Sequence, residues 1–270
     1  YAVLTQKFEG KDGKVTGLTD ATALLEVPPP LAVIEHPADA ESVPAGCLPV
    51  LPPSQRFPGL EDLPWGRIEA RAGAAAARCI EDAVTHVLDG AAAAIVTAPI
   101  HKEALAAAGV PFPGHTELLE AACRRRGLLA DVRMMLANQE LRTVLVSVHC
   151  SLREAIERVS TAAVLETLRI THRSARAFGF AAPRIAVPGL NPHAGEGGLF
   201  GDEEIRFITP AIEQARREGI DASGPYAPDT VFMRARQGEF DFVLALYHDQ
   251  GLIPVKYLGV EEGVNVSLGL

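Results

Sequence analysis

From Gly66 to Leu88 the apolar residues Ala70, Ala74, Ala77, Ile80, Val84 and Val87 recur at helical spacing, and Asp89-Gly90 supplies a stop, so this segment is predicted to be a helix. Ala91 to Val96 reads as a short buried strand, followed by the turn-forming Thr97-Ala98-Pro99 and a helix beginning near Lys102. The same rhythm returns downstream. Arg142 to Val148 is a predicted strand with β-branched residues, and Ser151 to Glu154 is a capping-box signature opening a helical stretch that runs to Phe178. Arg184 to Val187 (strand), Glu203 to Glu218 (helix) and Phe242 to Leu246 (strand) continue it. Strands alternating with helices predict an α/β fold with a largely parallel sheet covered by helices. Residues 1 to about 64 are interrupted by Pro28, Pro29, Pro30, Pro49, Pro52 and Pro53 and carry no assignable chemistry. No internal repeat, low-complexity tail or long linker marks a boundary. The expectation is one α/β unit over 1–270, with any second lobe interleaved with the first.

Composition narrows the classes. With 48% hydrophobic residues in 270, the chain can bury a substantial core, and no apolar run approaches the roughly 18 residues of a membrane span. A formal net charge of -9 repels nucleic-acid backbones and anionic membranes, which leaves any anionic ligand to local positive groups. Arg124, Arg125 and Arg126 form the one dense basic run, read either as a solvated helix end or as a binding patch. The scattered Cys47, Cys79, Cys123 and Cys150 suggest neither a disulfide framework nor a zinc finger and fit a reducing cytoplasm. The chain opens at Tyr1 with no signal-peptide pattern, and a fragment is expected.

Three histidines share one topological position. His149 follows the strand ending at Val148, His193 lies six residues beyond Val187, and His248 sits two beyond Leu246. In an open parallel sheet the carboxyl ends of the strands line one edge, where ligands bind, so these imidazoles can converge. Three imidazoles leaving an open position suit a catalytic divalent metal. Each one alone also reads as a hydrogen-bonded structural residue. Asn191-Pro-His-Ala-Gly-Glu-Gly-Gly198 has the glycine content of backbone approaching a ligand, and Asp249 and Gln250 are placed to orient a ligating imidazole; for both segments the plainer reading is a tight turn. Thr97 to Lys102 and Gly114-His-Thr-Glu117, at a helix entrance, suggest an anion site in which Thr116 is either a ligand or only an N-cap and His115 adds a donor or a charge. Lys102 and Lys256 are candidate anion-neutralising groups.

Thr97-Ala-Pro-Ile-His-Lys102, Pro113-Gly-His-Thr-Glu117, Gly189 through Gly198, Pro228-Asp-Thr230, Tyr247-His-Asp-Gln-Gly251 and Gly263 through Gly269 occur in the order found in the 4-hydroxythreonine-4-phosphate dehydrogenase family of vitamin B6 synthesis, which the chain resembles from about Val96 to Leu270. The resemblance implies an isocitrate/isopropylmalate-dehydrogenase-like fold and a homodimer with its active site at the subunit interface. It implies a divalent metal (zinc, magnesium or cobalt) on His149, His193 and His248, and substrate contacts at His115, Thr116, Lys256 and Asn265, with Asp229 and Asp249 lining the site. The implied reaction oxidises 4-phosphooxy-L-threonine with NAD, or NADP, and the β-keto acid then loses carbon dioxide to give 3-amino-2-oxopropyl phosphate. Lys256, Asp229 and Asp249 are the catalytic candidates. Three departures stand out: the family's N-terminal Gly-Asp-Pro-Ala-Gly loop and the segment following Leu270 are absent; Cys150-Ser151 replaces an apolar residue and proline; and Leu199-Phe200 replaces the usual residues after the glycine pair. The alternatives are a paralogue acting on 4-phospho-erythronate or 4-phospho-threonate, and a binding homologue without turnover.

Overall fold

The computed structural model describes residues 29–60, 62–64, 66–112, 114–128 and 131–269. The chain divides into two compact units, Tyr1–Leu129 and Ala130–Leu270, which are consecutive along the sequence where interleaving was expected.

In the first unit, β1 (Leu31–Val33) and β2 (Leu48–Val50) pair in parallel, with Leu31 opposite Leu48. The predicted long helix forms as α1 (Ala70–Leu88), four residues shorter at its start, and buries Gly73, Ala77, Cys79, Ile80, Ala83 and Val84. It lies so close to α2 (Lys102–Ala107) that a Cβ at Gly73 would collide with the Ala104 carbonyl. The third helix, α3 (His115–Arg125), ends in the basic run. Those arginines are spent on acids: Arg124 pairs with Glu120, Arg125 meets Glu81 at 2.6 Å, and Arg126 pairs with Asp89. The helix-end reading therefore holds over the binding patch. Residues 91–96 form no strand; a strand needs a ladder partner, none lies alongside among the described residues, and Val96 is 76% exposed.

The second unit carries a six-stranded sheet in the order β6-β5-β7-β4-β3-β8. Its strands are β3 (Arg133–Ala137), β4 (Arg142–Leu145), β5 (Ile185–Pro188), β6 (Ala222–Tyr226), β7 (Phe242–Ala245) and β8 (Val264–Leu268). β4, β7, β5 and β6 pair in parallel as expected, whereas β3 runs antiparallel to both β4 and β8. The period-2 rule sorts the side chains: Val144, Ile185, Val187, Phe242 and Leu244 enter one core, and Leu145, Ala186, Val243 and Ala245 the other. Both faces are buried, which is why β5 and β7 read as continuous apolar runs.

The first core is closed by α5 (Thr161–Ala175) and α6 (Thr209–Arg217), the second by α7 (Pro228–Arg236) and α8 (His248–Tyr257). The long helix predicted from Ser151 to Phe178 is two: α4 (Leu152–Arg158), capped by the Ser151 hydroxyl accepting from Glu154 N, and α5, capped by Ser160 accepting from Ala163 N. A second cap inside the run ended the first helix, because a serine in extended backbone competes with helical hydrogen bonds. The helix predicted from Glu203 begins as a wider π-type turn, Glu204–Ile208.

α8 packs tightly on the sheet. A Cβ at Gly251 would sit 2.7 Å from Leu145 Cδ2 and 2.8 Å from Ala245 Cβ. Gly251→Ala is therefore expected to destabilise the protein by about 1–3 kcal/mol, the usual cost of overpacking a core, despite alanine's better helix propensity. Urea unfolding measures this; an unchanged midpoint contradicts it.

Candidate active site at the carboxyl edge of the sheet

Because β5, β7 and β4 are neighbours and parallel, their carboxyl ends open side by side on one edge. His193, His248 and His149 follow those three ends, as the sequence spacing predicted. The exits of β4 and β7 are stitched together by Val146 N donating to Ala245 O at 2.9 Å and the buried Ser147 hydroxyl donating to Leu246 O at 2.9 Å. The rings of His149 and His248 end up 5.8 Å apart, centroid to centroid, tilted by 47°. They line a cleft of about 500 Å³ with Val148, Cys150, Ser151, Tyr247 and Asp249.

His248 is the first residue of α8, and its Nδ1 lies 2.7 Å from the Asp249 carboxylate. A carboxylate accepts, so Nδ1 is the donor in this pair and Nε2 is the ring nitrogen left for a ligand. Gln250, by contrast, does not orient an imidazole. It is buried, accepts from Leu246 N at 2.7 Å and donates to Gly189 O at 2.8 Å, tying β7 to the base of the His193 segment.

That segment, Pro192–Gly198, is a left-handed turn in which His193, Ala194 and Glu196 have φ of 53°, 52° and 43°. Each non-glycine residue there costs about 1–2 kcal/mol, so the turn persists only because its surroundings over-determine it. The anchor is Glu204, 3% exposed, whose carboxylate accepts from Leu190 N at 2.7 Å, Asn191 N at 2.8 Å and Asn191 Nδ2 at 3.0 Å. Glu204 went unnoticed in the sequence. Its one signal there is position: it shares a buried stripe with Ile208, Ala211 and Ala215, where an acid is out of place.

His193 is exposed, with the Phe200 ring 6.1 Å from its own. Among the described residues no three His, Cys, Asp or Glu side chains stand close enough together to hold a metal ion. One chain thus brings two imidazoles together and puts the third on the adjoining strand end.

The other candidates are dispersed. Asp229 is exposed in the first turn of α7, which packs against the His193 turn. Lys256 is exposed in the last turn of α8, eight residues and so about 12 Å of helix rise beyond His248. Asn265 is exposed on β8 opposite Leu136, which in turn faces Thr143 at the amino end of β4. Lys256 and Asn265 accordingly lie toward the amino edge, away from the histidines.

His115 and Thr116 belong to the first unit. α3 starts at His115 with Gly114 as its N-cap and no side-chain cap, so Thr116 is not the cap. His115 Nε2 donates to Ala98 O at 3.1 Å. Burial lowers the His115 pKa below its ordinary value, partly offset by that hydrogen bond, so the structure favours the uncharged ring. Lys102 is exposed at the first position of α2. No disulfide links the described cysteines.

A family model described as pyridoxal phosphate biosynthetic protein PdxA matches residues 13–270. The chain belongs to the PdxA family. The match reaches well upstream of Val96, into the proline-interrupted region that read as uninformative. Within PdxA relatives, a 4-hydroxythreonine-4-phosphate dehydrogenase of Beijerinckia indica is 60% identical over 205 residues, which is 76% of this chain and 60% of that protein. A D-threonate 4-phosphate dehydrogenase of Salmonella typhimurium is 46% identical over 240 residues, 89% of this chain and 71% of that protein. The crystal structure of a 4-hydroxythreonine-4-phosphate dehydrogenase from Klebsiella pneumoniae superposes with a TM-score of 0.85 at 42% identity, covering 94% of this chain and 75% of that one. The chain therefore spans 60% of the length of the first of these PdxA relatives. No helix among its described residues is long and apolar enough to cross a membrane.

Proposed function

We propose that this chain forms the core of a dehydrogenase that oxidises the secondary hydroxyl of a small phosphorylated hydroxy acid with NAD or NADP. The observation that carries the reading is the set of three histidines on adjacent parallel strand ends, two of them paired beside Asp249. We assign a divalent cation to the His149–His248 pair, with His193 on the adjoining strand end as the third donor, a set that one chain alone does not bring together. When bound, such a cation (zinc, magnesium or cobalt) would supply Lewis-acid polarisation of the substrate oxygens.

The chain's own groups do the rest. Asp249 holds the His248 ring with Nε2 free. In the first unit, Thr116 and the first-turn N–H groups of α3 are the proposed phosphate contacts, with His115 as a polar neighbour. Lys256 supplies positive charge or a proton, and Asn265 a hydrogen bond. With 4-phosphooxy-L-threonine the β-keto acid formed then loses carbon dioxide to give 3-amino-2-oxopropyl phosphate.

Lys256 and Asn265 lie toward the opposite sheet edge from the histidines, and we assign their meeting to a homodimer whose active site spans two copies. Exposed apolar side chains flank the histidine edge: Leu152 after His149, and Leu199, 72% exposed, with Phe200 after His193. Patches of this kind mark interaction surfaces.

A second substrate is favoured by a specific observation, the similarity to a D-threonate 4-phosphate dehydrogenase. NADH formation from 4-phosphooxy-L-threonine, 4-phospho-threonate and 4-phospho-erythronate, measured side by side with added metal, separates the two. Calorimetric binding of these acids without any NADH identifies a non-catalytic homologue and sinks the dehydrogenase reading.

A further inference from the structure

We infer that Glu204 is the positioning residue that sets where His193 sits, an inference that rests on the reading of His193 as a metal ligand. Glu204 touches no ligand position itself. It acts through the segment between β5 and the left-handed turn, taking the backbone N–H groups of Leu190 and Asn191 on Oε1 and the Asn191 side-chain amide on Oε2. Two residues beyond Asn191 stands His193, so fixing these donors fixes the start of the turn.

The backbone is cut to fit this carboxylate. A Cβ at Gly189 would lie 2.9 Å from Glu204 Oε1 and 2.6 Å from Ala194 Cα, and one at Gly195, where φ is 79°, would lie 2.7 Å from Oε2. Glycine at both points lets the chain wrap round a single buried acid. The Asn191 amide also donates to Glu203 Oε2 at 2.6 Å, closing the wrap from the other side. At the base, Gln250 joins Gly189 O to Leu246 N, two residues before His248. The His193 turn is thus referenced to the strand that presents His248, with Glu204 at its centre.

A carboxylate suits this place because every partner is a donor. Glutamine keeps one acceptor oxygen for the two backbone N–H groups but presents an NH2 to the Asn191 amide, donor against donor. Alanine removes all three bonds and leaves two part-buried N–H groups without this acceptor.

The test uses Co(II) as probe, titrated calorimetrically and followed by its visible d–d absorption, on the wild-type protein, His193→Ala, Glu204→Gln and Glu204→Ala. Glu204→Ala is expected to weaken Co(II) binding by about 10–100-fold, the range for groups that orient a ligand, and to shift the absorption toward that of His193→Ala. Glu204→Gln should fall between, with a wild-type circular dichroism spectrum. If Glu204→Ala does not fold, Glu204→Gln carries the comparison. Glu204 variants that fold and bind Co(II) with wild-type affinity and spectrum, while His193→Ala does not, overturn the positioning role and leave the ligand standing. Wild-type Co(II) binding by His193→Ala removes the ligand assignment and the inference with it.

Discussion

His193→Ala is expected to lower metal-dependent turnover by on the order of a thousandfold, equivalent to roughly 4 kcal/mol of transition-state stabilisation, while leaving the fold intact. The size follows from its role. A catalytic divalent site with three protein donors that loses one keeps too few to hold the cation and orient substrate together. Stability should barely change, because the imidazole is exposed and its strained backbone is held by Glu204, Gly189 and Gly195, none of which the substitution touches. Replacing a non-glycine residue by alanine at a φ of 53° also leaves the backbone cost nearly as it was. Initial rates at saturating metal, together with a thermal melt, decide the matter; turnover within a few-fold of wild type removes His193 from the ligand set.

The second expected result concerns how many chains make one site. His193→Ala and Lys256→Ala proteins, each nearly inactive alone, should regain about half of wild-type turnover when isolated as a mixed dimer from differently tagged copies, since a two-fold dimer holds two sites and one keeps both residues. The geometry motivating this is internal to the second unit. His193 follows β5 at the carboxyl edge, whereas Lys256 closes α8 about two turns past His248, toward the other edge. If a single chain supplied both residues to the same site, each site in the mixed dimer would carry one lesion and no activity would return. That outcome rules out the two-copy site.

Much of this molecule was legible locally. The runs around Ala186 and Val243 are apolar and the one around Val144 is rich in β-branched residues because both faces of the sheet are covered, so these strands and their parallel pairing followed from pattern alone. So did the placing of His149, His193 and His248, since a residue just past a parallel strand has one edge to go to. The Ser151 cap was equally readable, its bond being made three residues away.

What pattern did not reach were features settled by distant partners. Residues 91–96 have the apolar content of a strand, yet strand formation depends on a neighbour to complete the ladder, and that neighbour is not encoded in the segment. β3 and β8 pair antiparallel at the sheet's flank, where residues such as Arg133 and Asn265 gave no clean alternation. Glu204 looked like an ordinary helix acid because its partners, Leu190 and Asn191, lie 14 and 13 residues away. Periodicity reports which face of an element is buried; only the folded chain decides which donor meets which acceptor across elements, and at this candidate site those long-range hydrogen bonds hold the histidines in place.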